Sequence, residues 1–125
     1  MSKTVLVIDD DSSISSIFSF ILEQAGFKTV SVPNTEDCLS LIKSDKKFEI
    51  IFLDIKPTDG SGLKMFKKIL QIRPEALVIV MSGYTIGDPL KEAFELGAYG
   101  VLYKPFDVEE AMATVDKIFK LPALS

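Results

Sequence analysis

The stretch Ile50-Ile51-Phe52-Leu53-Asp54 decides how this chain is read. Four apolar residues, two of them β-branched, run without a polar break into a carboxylate. A short apolar run of this kind, bounded by turn residues, is the pattern of a buried strand. The segment that follows, Ile55-Lys56-Pro57-Thr58-Asp59-Gly60-Ser61-Gly62, carries a proline and two glycines and reads as a loop. Asp54 therefore stands where a strand leaves the core, half desolvated and still reachable. That is a position for chemistry, and one that a merely solvated carboxylate does not need.

Similar runs lie on either side. Thr4-Val5-Leu6-Val7-Ile8 is apolar and ends in Asp9-Asp10-Asp11. Ser12 and Ser13 offer N-cap oxygens, and Ile14, Ile17, Phe18, Ile21, Leu22 and Ala25 follow at helical spacing, with Gly26 as the stop. Residues 27–32 alternate, which predicts a half-exposed edge strand. Asn34 and Asp37 open a second helix running to about Ser44, with Cys38, Leu41 and Ile42 inward. The strand at about 49–53 is followed by a helix over about 62–71 that buries Leu63, Phe66, Ile69 and Leu70. Ala76 to Met81 is a fourth strand, ending at Ser82-Gly83. Asp88-Pro89 has the N-cap and first-turn order of a helix start, with Leu90, Ala93 and Phe94 inward and Gly97 beyond its end. Residues 99–103 form a fifth strand before Lys104-Pro105. Asp107 caps a last helix with the stripe Val108, Ala111, Met112, Val115 and Phe119.

Five strands alternating with five helices through short links predict an α/β fold, a parallel sheet with helices on both faces. For five strands the flavodoxin-like three-layer (βα)5 arrangement, in order 2-1-3-4-5, is expected. The chain has 125 residues, enough for one domain, with 47% apolar and 26% charged residues and a net charge of −4. No basic tract supports direct nucleic-acid binding. No apolar run approaches the length of a membrane span, and the N-terminus lacks a signal peptide's apolar core. A single cysteine, Cys38, excludes an internal disulfide, so a cytoplasmic location is expected. The absence of histidine excludes His-based triads and His metal sites.

Sites in such sheets form beyond the carboxyl ends of the strands. The first strand ends on Asp9-Asp10, the third on Asp54, the fourth on Ser82 and the fifth on Lys104. Taken singly, each has a plain explanation: helix-capping acids, a loop carboxylate, a turn serine, a surface lysine. Together they deliver three acids, a hydroxyl and an amine to one edge. Two carboxylates about 4 Å apart repel by roughly 4 kcal/mol at an effective dielectric of about 20. One lysine does not neutralise three acids, whereas a hard divalent cation does. Mg2+ suits these ligands, with Mn2+ an acceptable substitute. Mg2+ in such settings meets phosphate, which makes Asp54 a nucleophile toward phosphorus, giving an acyl phosphate. Ser82 and Lys104 are then placed to hold phosphoryl oxygens.

The pieces Val5-Leu6-Val7-Ile8-Asp9-Asp10-Asp11, Asp54-Ile55-Lys56, Asp59-Gly60-Ser61-Gly62-Leu63, Met81-Ser82-Gly83-Tyr84, Leu96-Gly97-Ala98-Tyr99 and Lys104-Pro105-Phe106 resemble the receiver domain of bacterial two-component response regulators. The resemblance runs from Val5 to about Phe119. It implies that Asp54 accepts a phosphoryl group from a sensor histidine kinase or histidine phosphotransfer protein. It implies that Asp10 ligates Mg2+ directly, Asp9 through water, and Lys56 through its backbone carbonyl. It implies a cis Lys104–Pro105 bond, and a switch whose only catalysis is its own phosphoryl transfer and dephosphorylation. Residues 1–121 are expected to form this domain and 122–125 a tail or linker, with an output domain or a downstream protein as the recipient of the signal. The first helix, through Ile14, Ile17 and Phe18, is the expected donor-docking surface, with at most one of the three exposed.

Three departures stand out. Pro57-Thr58 reverses the family's usual order after the acceptor. Val101 replaces the aromatic switch residue, leaving Tyr103 or Tyr84 to take its place, although Tyr103 is more simply expected to pack under a helix. Gly83 leaves the phosphoryl site open to water. Competing readings fare worse. An aspartyl phosphohydrolase normally has a second acid where Lys56 stands. A flavin module needs a phosphate cradle where three aspartates lie. A receiver that docks partners without phosphorylation has to leave intact chemistry unused.

Overall fold

The computed structural model describes residues 3–55, 61–83, 87–104 and 106–119, without the side chains of 61, 87–90 and 119. The elements follow the expected order: β1 (Thr4–Ile8), α1 (Ser12–Gln24), β2 (Lys28–Val32), α2 (Thr35–Lys43), β3 (Ile50–Asp54), α3 (Ser61–Ile72), β4 (Val78–Ser82), α4 (Gly87–Leu96), β5 (Gly100–Tyr103) and α5 (Val108–Phe119). The sheet is parallel, in order β2-β1-β3-β4-β5. β3 and β4 are buried on both faces, which is why their sequences are unbroken apolar runs. β2 stands at an edge and alternates.

The two faces have separate cores. Val5, Val7, Ile50, Phe52, Ile79, Met81 and Leu102 point toward α1 and α5, where Phe18 lies 4.3 Å from the Phe52 ring, centroid to centroid. Leu6, Ile8, Ile51, Leu53, Val78 and Val80 point toward α2, α3 and α4. Burial of this apolar surface, at about 25 cal/mol per Å2, is the main force holding the three layers.

The helix ends carry the predicted signals, with two corrections: α4 begins at Gly87, so Asp88 lies inside the helix rather than at its N-cap, and the cap of α1 differs. The N-cap of α1 is Asp11, not Ser12 or Ser13; its side chain accepts from Ser13 N–H at 2.9 Å. Asn34 caps α2 through Asp37 N–H at 2.8 Å. Asp107 and Glu110 form a reciprocal capping box on α5. Gly26 and Gly97 adopt φ of 91° and 113° and close α1 and α4 in Schellman turns, Phe27 N–H to Leu22 O and Ala98 N–H to Ala93 O.

Three inward assignments fail. Phe94 on α4 is 51% exposed, and Val108 at the start of α5 is 42% exposed. Tyr103 is 49% exposed rather than packed under a helix. β5 is an edge strand, so the rim of the core thins there, and helical spacing alone does not show where the neighbouring layer stops. On α1, Ile14 and Phe18 are buried and Ile17 is half-buried, while Phe20, not singled out from the sequence, is exposed.

Candidate functional site

The site follows from strand register. Ile8 pairs with Leu53, which places Asp9 and Asp54 at the next level beyond β1 and along β3. Asp54 pairs with Met81, and Ser82 pairs with Tyr103. Lys104 N–H donates to Ser82 O at 2.6 Å, tying the ends of β4 and β5. Side chains alternate along a strand, so Asp9 continues the face of Val5 and Val7, Asp54 that of Ile50 and Phe52, and Lys104 that of Leu102. Ser82 takes the other parity, with Val78 and Val80, and is fully buried.

The charged groups converge. Lys104 Nζ lies 2.6 Å from Asp9 Oδ2 and 3.1 Å from Asp54 Oδ1. Burial disfavours the ammonium's charge, but contact with Asp9 and the charge of Asp54 outweigh it and hold the Lys104 pKa above the usual lysine value. Asp9 is 4% exposed; its Oδ1 accepts from Asp11 N–H at 2.9 Å. Its buried Oδ2 accepts no hydrogen bond of good geometry and meets the ammonium only as an ion pair. Next to it, the Asp11 carboxyl bonds Ser13 Oγ and N–H, which holds its pKa below the usual carboxylate value.

Asp9, Asp10 and Asp54 each present a carboxylate oxygen, all within 4.8 Å of one another. The donor set is all oxygen, graded from buried Asp9 through half-buried Asp54 to exposed Asp10. An under-bonded buried carboxylate oxygen beside two more acids is chemically suited to a hard divalent cation that keeps some of its water. The residues fit such an ion.

The model of the response regulator receiver domain matches residues 5–116. The chain belongs to this family. The receiver domain is 34% identical, over 113 residues, to the DNA-binding transcriptional regulator NtrC of Salmonella typhimurium; the match covers 90% of this chain and 24% of that protein, so the chain spans about a quarter of that relative's length. It is 27% identical to sporulation initiation phosphotransferase F of Bacillus subtilis, with 97% of both chains covered. Among solved structures, a BeF3-activated DrrB receiver domain superposes with a TM-score of 0.81 at 29% identity, covering 97% of this chain and all of that one. A Thermotoga maritima response regulator, at 23% identity and a TM-score of 0.85, shares the fold, with 97% of this chain and all of that one covered.

Within the receiver domain, Asp9, Asp10, Asp54 and Lys104 come together as the sequence implied. The Lys56 carbonyl, the Pro57-Thr58 order, Tyr84 and the Lys104–Pro105 bond lie outside the described residues. Val101 is half-buried against the α2–α4 side of the core. Among the described residues a Cβ at Gly83 would meet nothing within 4 Å.

Sequence reasoning placed Gly62 in the loop after Asp54 and at the approximate start of a helix, and missed its packing role. A Cβ there would stand 2.9 Å from Ile55 Cα and 3.0 Å from Asp54 O. The first turn of α3 thus lies directly on the backbone that presents Asp54. The available signal was a glycine inside a helix, which costs about 1 kcal/mol relative to alanine and calls for a packing reason.

Proposed function

We propose that Asp54 is the phosphoryl acceptor of a phosphorylation-activated signalling switch, with Asp9, Asp10 and Asp54 holding Mg2+ together with the Lys56 carbonyl. A bound Mg2+ supplies positive charge to the phosphoryl oxygens. An Asp54 oxygen attacks phosphorus, the phosphorus–nitrogen bond of a donor phosphohistidine breaks, and the imidazole leaves with the bonding pair and takes up a proton. Lys104, already against Asp54, pairs with a phosphoryl oxygen as a point charge, and the Ser82 hydroxyl donates to another. Ser82 is buried at the end of β4, and its hydroxyl is drawn toward the phosphoryl group as that strand end shifts. The Lys104 N–H to Ser82 O bond carries that movement into β5. This is a shift between two populated arrangements, driven by local charge.

The recipient of the movement is the face of α4, β5 and α5, where Phe94, Tyr99, Tyr103 and Val108 are exposed. A cavity of about 310 Å3 lies there, lined by Phe94, Tyr99 and Ile118 among others. The donor is a sensor histidine kinase or a histidine phosphotransfer protein, and the recipient an output domain or a downstream protein. The protein acts in the cytoplasm and catalyses only its own phosphoryl transfer and loss. Among the described residues no helix is long and apolar enough to cross a membrane.

The observation that carries this reading is one ammonium in contact with carboxylates from two strand ends, beside a third acid. Incubation with acetyl phosphate and Mg2+, followed by intact mass measurement, tests it. The expected result is a phosphoryl adduct on the natural protein and none on Asp54→Ala. An adduct on both removes the mechanism; an adduct on neither leaves only partner docking.

A further inference from the structure

The amino ends of the strands, opposite Asp54, surround an open cavity of about 910 Å3. Its lining includes four lysines from three separate segments: Lys3, Lys28, Lys46 and Lys47. In a chain of net charge −4 this is a local reversal of sign. We propose that this cavity is a docking groove for an acidic, partly apolar peptide segment of a partner protein.

The groove is built on fixed backbone. Lys28 N–H bonds Lys3 O at 2.8 Å and Glu49 N–H bonds Thr4 O at 2.7 Å, so the starts of β1, β2 and β3 are knitted together. The loop bearing Lys46 and Lys47 is pinned by Arg73. Its guanidinium donates to Lys46 O at 2.6 Å, Ser44 O at 3.0 Å and Ile42 O at 3.1 Å, and lies over the Phe48 ring. Lysines on pinned backbone lose less freedom on binding than lysines on a floppy loop.

The occupant follows from how the charges are arranged. The lysines are interleaved with Glu23 and Glu49, so the lining suits a compact polyphosphate poorly. Carboxylates spaced along a chain match separated ammonium groups, and the two glutamates repel a dense anion. Half-buried Val30, with the edge of buried Phe27, gives the lining an apolar stretch between the charged points. A partner held at this edge leaves the acceptor edge free for its donor.

The test is an amide-resonance titration of the whole chain at low salt with a short capped peptide that alternates glutamate and leucine. Shifts are expected at residues 28–30 and 46–49, with none at 9–11 or 54. Affinity should fall about tenfold in Lys46→Glu/Lys47→Glu, two exposed charge contacts being reversed. Lys28→Glu provides an independent variant should the double one lose dispersion. Absent shifts, shifts elsewhere, undiminished affinity in both variants, or the same shifts produced by pyrophosphate at lower concentration would overturn the proposal.

Discussion

Lys104 Nζ lies 2.6 Å from a buried oxygen of Asp9 that has no hydrogen bond of its own. The lysine is thus the internal counter-ion of the site. Lys104→Met should cost about 3 kcal/mol, because it strands a buried carboxylate. Urea unfolding in a chelating buffer measures this. Added Mg2+ should restore part of the loss, since a bound cation replaces the missing charge. No destabilisation would mean that Asp9 does not depend on Lys104.

The alkaline limb of stability has two identifiable sources. The Lys104 pKa is raised in the folded state, so its stabilisation is complete below the ordinary lysine value and lost as pH rises through the folded value. Burial pushes the Cys38 thiol up from 9.0 to about 12. The unfolded chain releases that proton first, so stability also declines as pH climbs from 9.0 toward about 12. Cys38→Ala should flatten the decline near its onset and leave the later, Lys104 part. In the native protein a thiol reagent at about pH 8 should react only as fast as the chain opens.

Gly62→Ala tests the contact between α3 and the backbone of Asp54. The added methyl would meet backbone on β3 and beyond it, which has little room to yield. A loss of about 1–3 kcal/mol is expected, with slower phosphorylation by acetyl phosphate because Asp54 is displaced. Gly83→Ala is the control, since its methyl would meet nothing among the described residues. Equal behaviour of the two variants would remove the positional role given to Gly62.

Arg73 serves as a remote cap for the end of α2, reaching carbonyls 27 to 32 residues away. Arg73→Ala should cost about 2 kcal/mol, with faster hydrogen exchange over residues 44–48. Arg73→Lys should not rescue it, because a single ammonium cannot reproduce the fork.

The sheet was legible because β1, β3 and β4 are short apolar runs, each meeting a polar residue of definite kind at its end, while β2 alternates as an edge strand does. Asp9, Asp54 and Lys104 were legible for a related reason: each stands at the end of such a strand, with Asp10 next to Asp9. Asp11 was passed over as the cap of α1 because five adjacent residues, Asp9 to Ser13, all carry capping oxygens, and only backbone angles decide among them. Phe94 and Val108 keep the helical period but sit past the edge of the layer they were assigned to. Arg73 and Gly62 act through backbone atoms of distant segments, which no local pattern displays.

The central claim is that the carboxylate of Asp54 takes the phosphoryl group. Borohydride reduction of the phosphorylated protein turns an aspartyl phosphate into homoserine, which peptide sequencing by mass spectrometry then locates. The account predicts homoserine at position 54 alone. Homoserine at position 9 or 10, or a phosphate that survives on Ser82, would contradict it.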